Sequence, residues 1–283
     1  RTITDNSARV VALTNGEVDI IDGIDANVVD QITAAGCLLN KTEGMNINYL
    51  AYNTQKLTDP DVRRALSEAV NVPELVQSLY RGYASEATSI LPSFMPGYSA
   101  DVTQTQYDPE DAQAVLAEKG ITEIHMLTYT NPRPYNTATG QTLAEAIQGY
   151  WDKVGVKCTI DAYDWTTYKE KIGTGDYDVC LYGWIGDNGD PDNFLNLLAS
   201  EDIEINVAQY HDEEFNQMLS DAASLPNGDE RNAAYADMEQ KVADENVWLP
   251  ISHQENLAAY VGNVQNFIYH PTGNTFLSQT YKN

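Results

Sequence analysis

Residues 108–184 constrain the fold more than any other part of this 283-residue sequence. Asp108-Pro109 reads as a helix start, a capping carboxylate followed by proline in the first turn, and Gly120 closes that helix. A strand at 122–129, a helix at 139–154, a strand at 156–163, a short helix at 166–173 and a strand at 177–184 follow. The long helix carries Leu143, Ile147, Tyr150 with Trp151, and Val154 on one face. Such a β-α-β-α-β run requires neighbouring parallel strands joined by right-handed crossovers, which makes the fold α/β.

The flanking segments fit that class. Asp5 is placed to cap a helix ending at the Gly16 break, Val18 to Ile21 reads as a strand, and Asn27 to Ala35 as a short helix ending at Gly36. After a strand at Asn46 to Leu50, Asp59-Pro60 opens a helix with Val62, Ala65, Leu66 and Ala69 on one face, and a second helix covers 72–80. The stretch 84–107 has little periodicity and reads as an extended surface connection. Two amphipathic helices centre on Phe215, Met218 and Leu219, and on Tyr235, Met238 and Val242. Val247 to Ile251 and the tail from Asn266 read as strands.

In open α/β sheets, ligands bind at the carboxyl ends of the strands. Here the three strands end in Asn131-Pro132-Arg133-Pro134-Tyr135-Asn136, in Tyr163-Asp164-Trp165, and in Gly183-Trp184-Ile185-Gly186-Asp187-Asn188-Gly189-Asp190-Pro191-Asp192-Asn193-Phe194. One edge therefore gathers a cation, aromatic rings and carboxylates. A small zwitterion needs that set: an anion for its ammonium, a guanidinium for its carboxylate and rings for its side chains. Each residue also has a plainer use, Arg133 in a surface ion pair, Trp165 and Trp184 in the core. Asp187, Asp190 and Asp192 invite calcium, but Gly189 and Leu198 break the EF-hand spacing. The four histidines lack zinc-ligand spacing, and no P-loop, G-x-S-x-G or Cys–His signature occurs, so neither metal nor cofactor is expected. A hydrolase using Asp187 and Asp190 is the rival from another class.

Charge narrows the partners. With 42 acidic against 16 basic side chains the net charge is −26, which repels a phosphate backbone and makes nucleic acid an improbable ligand. No run approaches the ~20 apolar residues of a membrane span. The three cysteines, Cys37, Cys158 and Cys180, are far apart. An odd count leaves one unpaired, and the expectation is buried free thiols, with Cys158 and Cys180 on adjacent strands.

The sequence resembles a known family at these same loops: the peptide-binding proteins of dipeptide and oligopeptide ABC permeases, solute-binding family 5. The resemblance rests on Leu50-Ala51-Tyr52-Asn53-Thr54 with Asp61-Val62-Arg63-Arg64-Ala65-Leu66, on Arg133-Pro134-Tyr135-Asn136, and above all on Gly183-Trp184 through Asp187 to Phe194. Trp248-Leu249-Pro250-Ile251 and Pro271-Thr272-Gly273 fit the closing segment, and the dipeptide-binding branch matches best.

The resemblance implies a type II periplasmic-binding-protein architecture, with two lobes that close on a peptide and no catalysis. It implies Asp187 as the acid for the peptide ammonium, Arg133 as the partner of its carboxylate, and Tyr135, Trp165 and Trp184 as pocket lining. It divides the chain into 1–45, a remnant of lobe I; 46–257, the peptide-anchoring lobe II; and 258–283, a return to lobe I. It also implies permease subunits as partners, a monomer, and an extracytoplasmic location in the periplasm or as a cell-surface lipoprotein. Haem, an amino sugar or an antimicrobial peptide is the alternative solute. Two departures stand out. The run Thr137-Ala138-Thr139-Gly140 is one residue longer than the usual continuation, and the chain is shorter than the family's, so it is expected to begin inside lobe I.

Overall fold

Asp5, Asp59 and Asp108 each cap a helix: their carboxylates accept from the N–H groups of Ala8 (2.7 Å), Asp61 (2.9 Å) and Asp111 (3.0 Å). Helices Asn6–Thr14, Pro60–Glu68 and Pro109–Glu118 follow these caps in a computed structural model that describes residues 1–3 and 5–283. The motif Asp61 to Leu66 proves structural. Arg63 is buried, and its guanidinium donates to the carbonyls of Leu57, Glu245 and Asn246, ending the helix Asp229–Asp244.

The strands are β1 (Ile20–Asp22), β2 (Leu38–Glu43), β3 (Asn46–Tyr52), β4 (Ala84–Glu86), β5 (Glu123–Tyr129), β6 (Lys157–Tyr163), β7 (Val179–Ile185) and β8 (Trp248–Tyr260). They form one sheet in the order β1-β8-β3-β7-β5-β6, with β2 and β4 also on β8. Strands β7, β5 and β6 are mutually parallel, as the β-α-β-α-β run requires, and β3 is antiparallel to β7. Several expectations need correction. Strand β8 continues nine residues past Ile251, β2 is an additional strand whose sequence carries no period-2 pattern, and the helix from Asn27 begins as a 3-10 turn, Ala26–Val28, before Val29–Ala34.

Cys158 and Cys180 are buried free thiols, as is Cys37, but the first two do not lie on adjacent strands. Strand β5 separates them, because the run starts in mid-sheet and places β6 on one side of β5 and β7 on the other. Ile124 opposes Cys158 and Leu127 opposes Cys180, so alternation also puts the two thiols on opposite faces. Burial pushes the Cys158 thiol up to about 12 and the Cys180 thiol higher still, so both stay protonated.

Residues 84–107 also depart from expectation. Ala87, Ile90, Leu91 and Met95 are buried in the main core. The segment is drawn inward by Glu239, whose buried carboxylate accepts from Ser89 Oγ and from the N–H groups of Ile90 (2.9 Å) and Leu91 (3.2 Å). Burial pushes this carboxyl up to about 8, against those hydrogen bonds. Between its ordinary range near 4.5 and about 8, the folded chain keeps a proton that the unfolded chain has released. Stability therefore falls as pH rises through that window, by up to about 1.4 kcal/mol per unit. Thermal unfolding of Glu239→Gln from pH 5 to 8.5 is expected to show a flatter pH dependence than wild type; identical slopes would contradict this assignment.

Two main cores result. The larger runs from Met45 to Ile251 and contains the parallel strands. The smaller joins Val10, Leu13, Ile21, Ile24, Val29 and Ile32 to Leu257 and Ala259, with Val264, Phe267 and Tyr269 packed on the other side of β8. The chain passes between them twice, at 43–46 and along β8. No helix among the described residues is long and apolar enough to cross a membrane.

Candidate binding site

Strands β5, β6 and β7 bring their carboxyl ends to one edge, where antiparallel β3 adds Asn46 opposite Ile185. The loops after β5 and β7 flank the point where the strand order reverses, the usual position of a ligand crevice in an open α/β sheet.

The loop after β5 is a tight turn in which Arg133 and Asn136 exchange backbone hydrogen bonds of 2.9 and 2.8 Å. Asn136 is fully buried and locks it: its Nδ2 donates to Tyr129 Oη (3.0 Å) and its Oδ1 accepts from Tyr80 Oη (2.9 Å), which in turn accepts from Asn48. The departure at 137–140 contains Thr139 at φ 75°, a strained position for a β-branched residue, and Thr139 caps the helix Gly140–Lys153.

The Arg133 guanidinium lies 3.9 Å from the centre of the Trp165 ring, a cation–π stack. Among the described residues no carboxylate lies within ion-pair distance of it, and its buried Nε has no hydrogen-bond partner. Tyr135 is buried beside it; burial raises its hydroxyl's pKa, and the neighbouring Arg133 offsets only part of the rise. Trp165, capped into place by Asp164, meets Tyr129, Tyr168 and Tyr182 at 5.5–5.7 Å between ring centres. Aromatic packing thus orients the cation.

After β7, Asn193 organises the loop. Its Oδ1 accepts from the Trp184 indole and from the Asp187 N–H, each at 3.0 Å, and its Nδ2 approaches the Asp187 carboxylate at 3.5 Å. Asp187 is exposed and Trp184 half-buried. Asp190 turns away to Arg231 at 2.9 Å and accepts from the Asp192 N–H; burial raises its pKa, but these donors outweigh burial and hold it below the usual carboxylate range. Asp190 is therefore ion-paired within the fold. No group of three or more His, Cys, Asp or Glu among the described residues is arranged to hold a metal ion.

Tyr135 links the two loops by packing on Gly183. A Cβ at Gly183 would lie 2.3 Å from the Tyr135 ring and 2.5 Å from the Ile47 carbonyl. Gly183→Ala is expected to destabilise the fold by about 1–3 kcal/mol and to displace Tyr135, read as a lower midpoint in urea. An unchanged midpoint would show that the turn has room to shift.

Of the five residues the sequence singles out, Arg133 lines a cleft of about 490 Å³ between the two cores. Asn46, Thr137 and Ile185 form one wall; Ile24, Asp25 and Tyr269 form the other. Tyr135 and Trp165 support Arg133 from behind. Asp187 and Trp184 form a second cluster around Asn193, and neither is part of the cleft lining. Sequence reading passed over Asn136 and Asn193, although both stand inside the motifs it used; Tyr80 and Asn48 carry no local signal at all.

Residues 1–204 match the family model described as bacterial extracellular solute-binding proteins, family 5 middle. The chain is 32% identical to Heme-binding protein A of Haemophilus influenzae over 286 residues, covering 96% of this chain and 51% of that protein. It is 33% identical to the Dipeptide-binding protein of Escherichia coli over 243 residues, 83% of this chain and 45% of the other. Among solved structures, the periplasmic binding protein DppA of Helicobacter pylori in complex with peptide STSA superposes with a TM-score of 0.85 at 26% identity, covering all of this chain and 56% of that one. The chain spans about half the length of the curated relatives it matches. Its architecture is the α/β, type II periplasmic-binding-protein one, and the chain belongs to family 5 of the bacterial extracellular solute-binding proteins.

Proposed function

We propose that this chain supplies the peptide-anchoring part of an extracytoplasmic receptor that captures short peptides, dipeptides foremost, and delivers them to the permease subunits of an ABC importer. One observation carries the reading. Arg133, stacked on Trp165 and paired with no carboxylate among the described residues, lines a cleft between two cores in a chain of net charge −26. A guanidinium left unpaired in so acidic a protein is set to receive an anion, and its planar fork matches a peptide carboxylate.

Asp187, two residues beyond Ile185, holds the peptide ammonium, and Tyr135, Trp165 and Trp184 border the side-chain space. Residues 46–257 form the anchoring lobe, while 1–45 and 258–283 belong to the facing lobe. The complete receptor is this chain together with the remaining length that its relatives carry. It acts as a monomer in the periplasm or as a cell-surface lipoprotein, binds no nucleic acid, and performs no catalysis. The relative named dipeptide-binding protein and the DppA structure with a bound peptide support the substrate class. Haem is the second reading, carried by the 32% identity to Heme-binding protein A. Calorimetry of the complete receptor with a dipeptide panel, beside a haem titration followed at the Soret band, separates the two. Saturable dipeptide binding is expected, and haem binding that no dipeptide displaces would overturn the reading.

A further inference from the structure

The pairing of β8 is interrupted where the chain passes between its cores. The β2–β8 register ends at Glu43 opposite Glu255, and the β3–β8 register begins at Asn48 opposite Ser252. At the gap the Asn46 side chain replaces the missing ladder: its Oδ1 accepts from the Gln254 N–H (2.8 Å) and its Nδ2 donates to the Gln254 carbonyl (3.0 Å). Gly44 also donates to that carbonyl at 3.1 Å. The approach leaves no room for a side chain, since a Cβ on Gly44 would lie 2.3 Å from the Gln254 oxygen.

Gln254 itself is 1% exposed, and its side chain leads out of this junction. Its Oε1 accepts from Thr137 Oγ1 at 3.0 Å, and its Nε2 donates to Ser252 Oγ at 3.2 Å. Thr137 closes the Arg133 loop and lines the same cleft as Arg133 and Asn46. That loop therefore has two ties. Asn136 fixes it to the larger core, and Thr137 fixes it to the strand that runs between the cores. With no carboxylate among the described residues to hold the guanidinium, its aim depends on Trp165 and on these ties.

We infer that Gln254 is a positioning residue: through Thr137 it holds the Arg133 loop against the inter-core crossing and so sets how well Arg133 reads an anion. The inference rests on the role of Arg133 proposed above, and a buried hydrogen bond of this kind is worth about tenfold in an equilibrium. The test compares, in the complete receptor, affinity for a dipeptide and for its C-terminal amide, together with amide hydrogen exchange of Arg133 and Asn136 without ligand. Thr137→Val and Gln254→Leu are each expected to shrink the preference for the free carboxylate about tenfold. The double variant is expected to be no worse than the weaker single, because both break one link. Thr137→Ser is expected to keep the preference, and exchange at Arg133 and Asn136 is expected to rise in the two disruptive variants. An equal loss for both peptides, additive effects, or an unchanged preference in Thr137→Val would overturn the inference. If the wild-type receptor does not distinguish a dipeptide from its amide, the anchoring role of Arg133 fails, and exchange alone decides the loop: faster exchange upholds the positioning by Gln254, and unchanged exchange refutes it.

Discussion

Arg133→Met in the complete receptor is expected to weaken dipeptide binding by about 30-fold to several thousand-fold. A buried charge left without its partner costs about 2–5 kcal/mol, at about 1.4 kcal/mol per tenfold in affinity. Methionine keeps an apolar stem on Trp165 and removes only the charge and the fork of donors. Asp187→Asn is expected to act in the same range, because asparagine preserves the shape of the loop that Asn193 holds while losing the charge proposed to meet the ammonium. Calorimetry of the two variants checks this, and both lying within a factor of three of wild type would contradict the two-anchor account.

The 283-residue chain alone is expected to bind dipeptides at least about a hundredfold more weakly than the complete receptor. Asp187 is exposed here and Arg133 only half-buried, and charge pairs open to water are worth about 0–1 kcal/mol. In the proposed receptor, closure by a facing lobe removes that water and strengthens both proposed anchors. The surface fits an uncovered face as well: Ile268, Phe276, Leu277 and Tyr281 are each more than half exposed along the tail. Micromolar or tighter binding by this chain alone would show that closure contributes little.

Much of the fold was legible because its signals are local. Capping aspartates at 5, 59 and 108, the prolines after two of them, and the apolar face of 140–153 act within a few residues, and the structure keeps them. What failed depends on partners distant in sequence. Ser252 to Asn256 read as the end of a strand because five polar residues follow Ile251, yet Asn48, Asn46 and Thr137 between them satisfy Ser252, His253 and Gln254 inside the sheet. The segment 84–107 read as surface because nothing near it announces Glu239, some 150 residues later. Adjacency of Cys158 and Cys180 was inferred from chain order, which cannot specify on which side of β5 a later strand inserts. The site divides in the same way. The motifs point to Arg133 and Asp187 as candidate anchors, but the stack on Trp165, the Asn136 lock and the Asn193 bridge are three-dimensional facts.

The central claim is that two charges read the two ends of a short peptide, and blocking each end in turn tests it most directly. Calorimetry of the complete receptor with one dipeptide, its N-acetyl form and its C-terminal amide isolates each anchor without altering the protein. The account predicts micromolar or tighter binding of the free dipeptide and a loss of at least about 30-fold for either blocked form. Equal affinity for all three would contradict it.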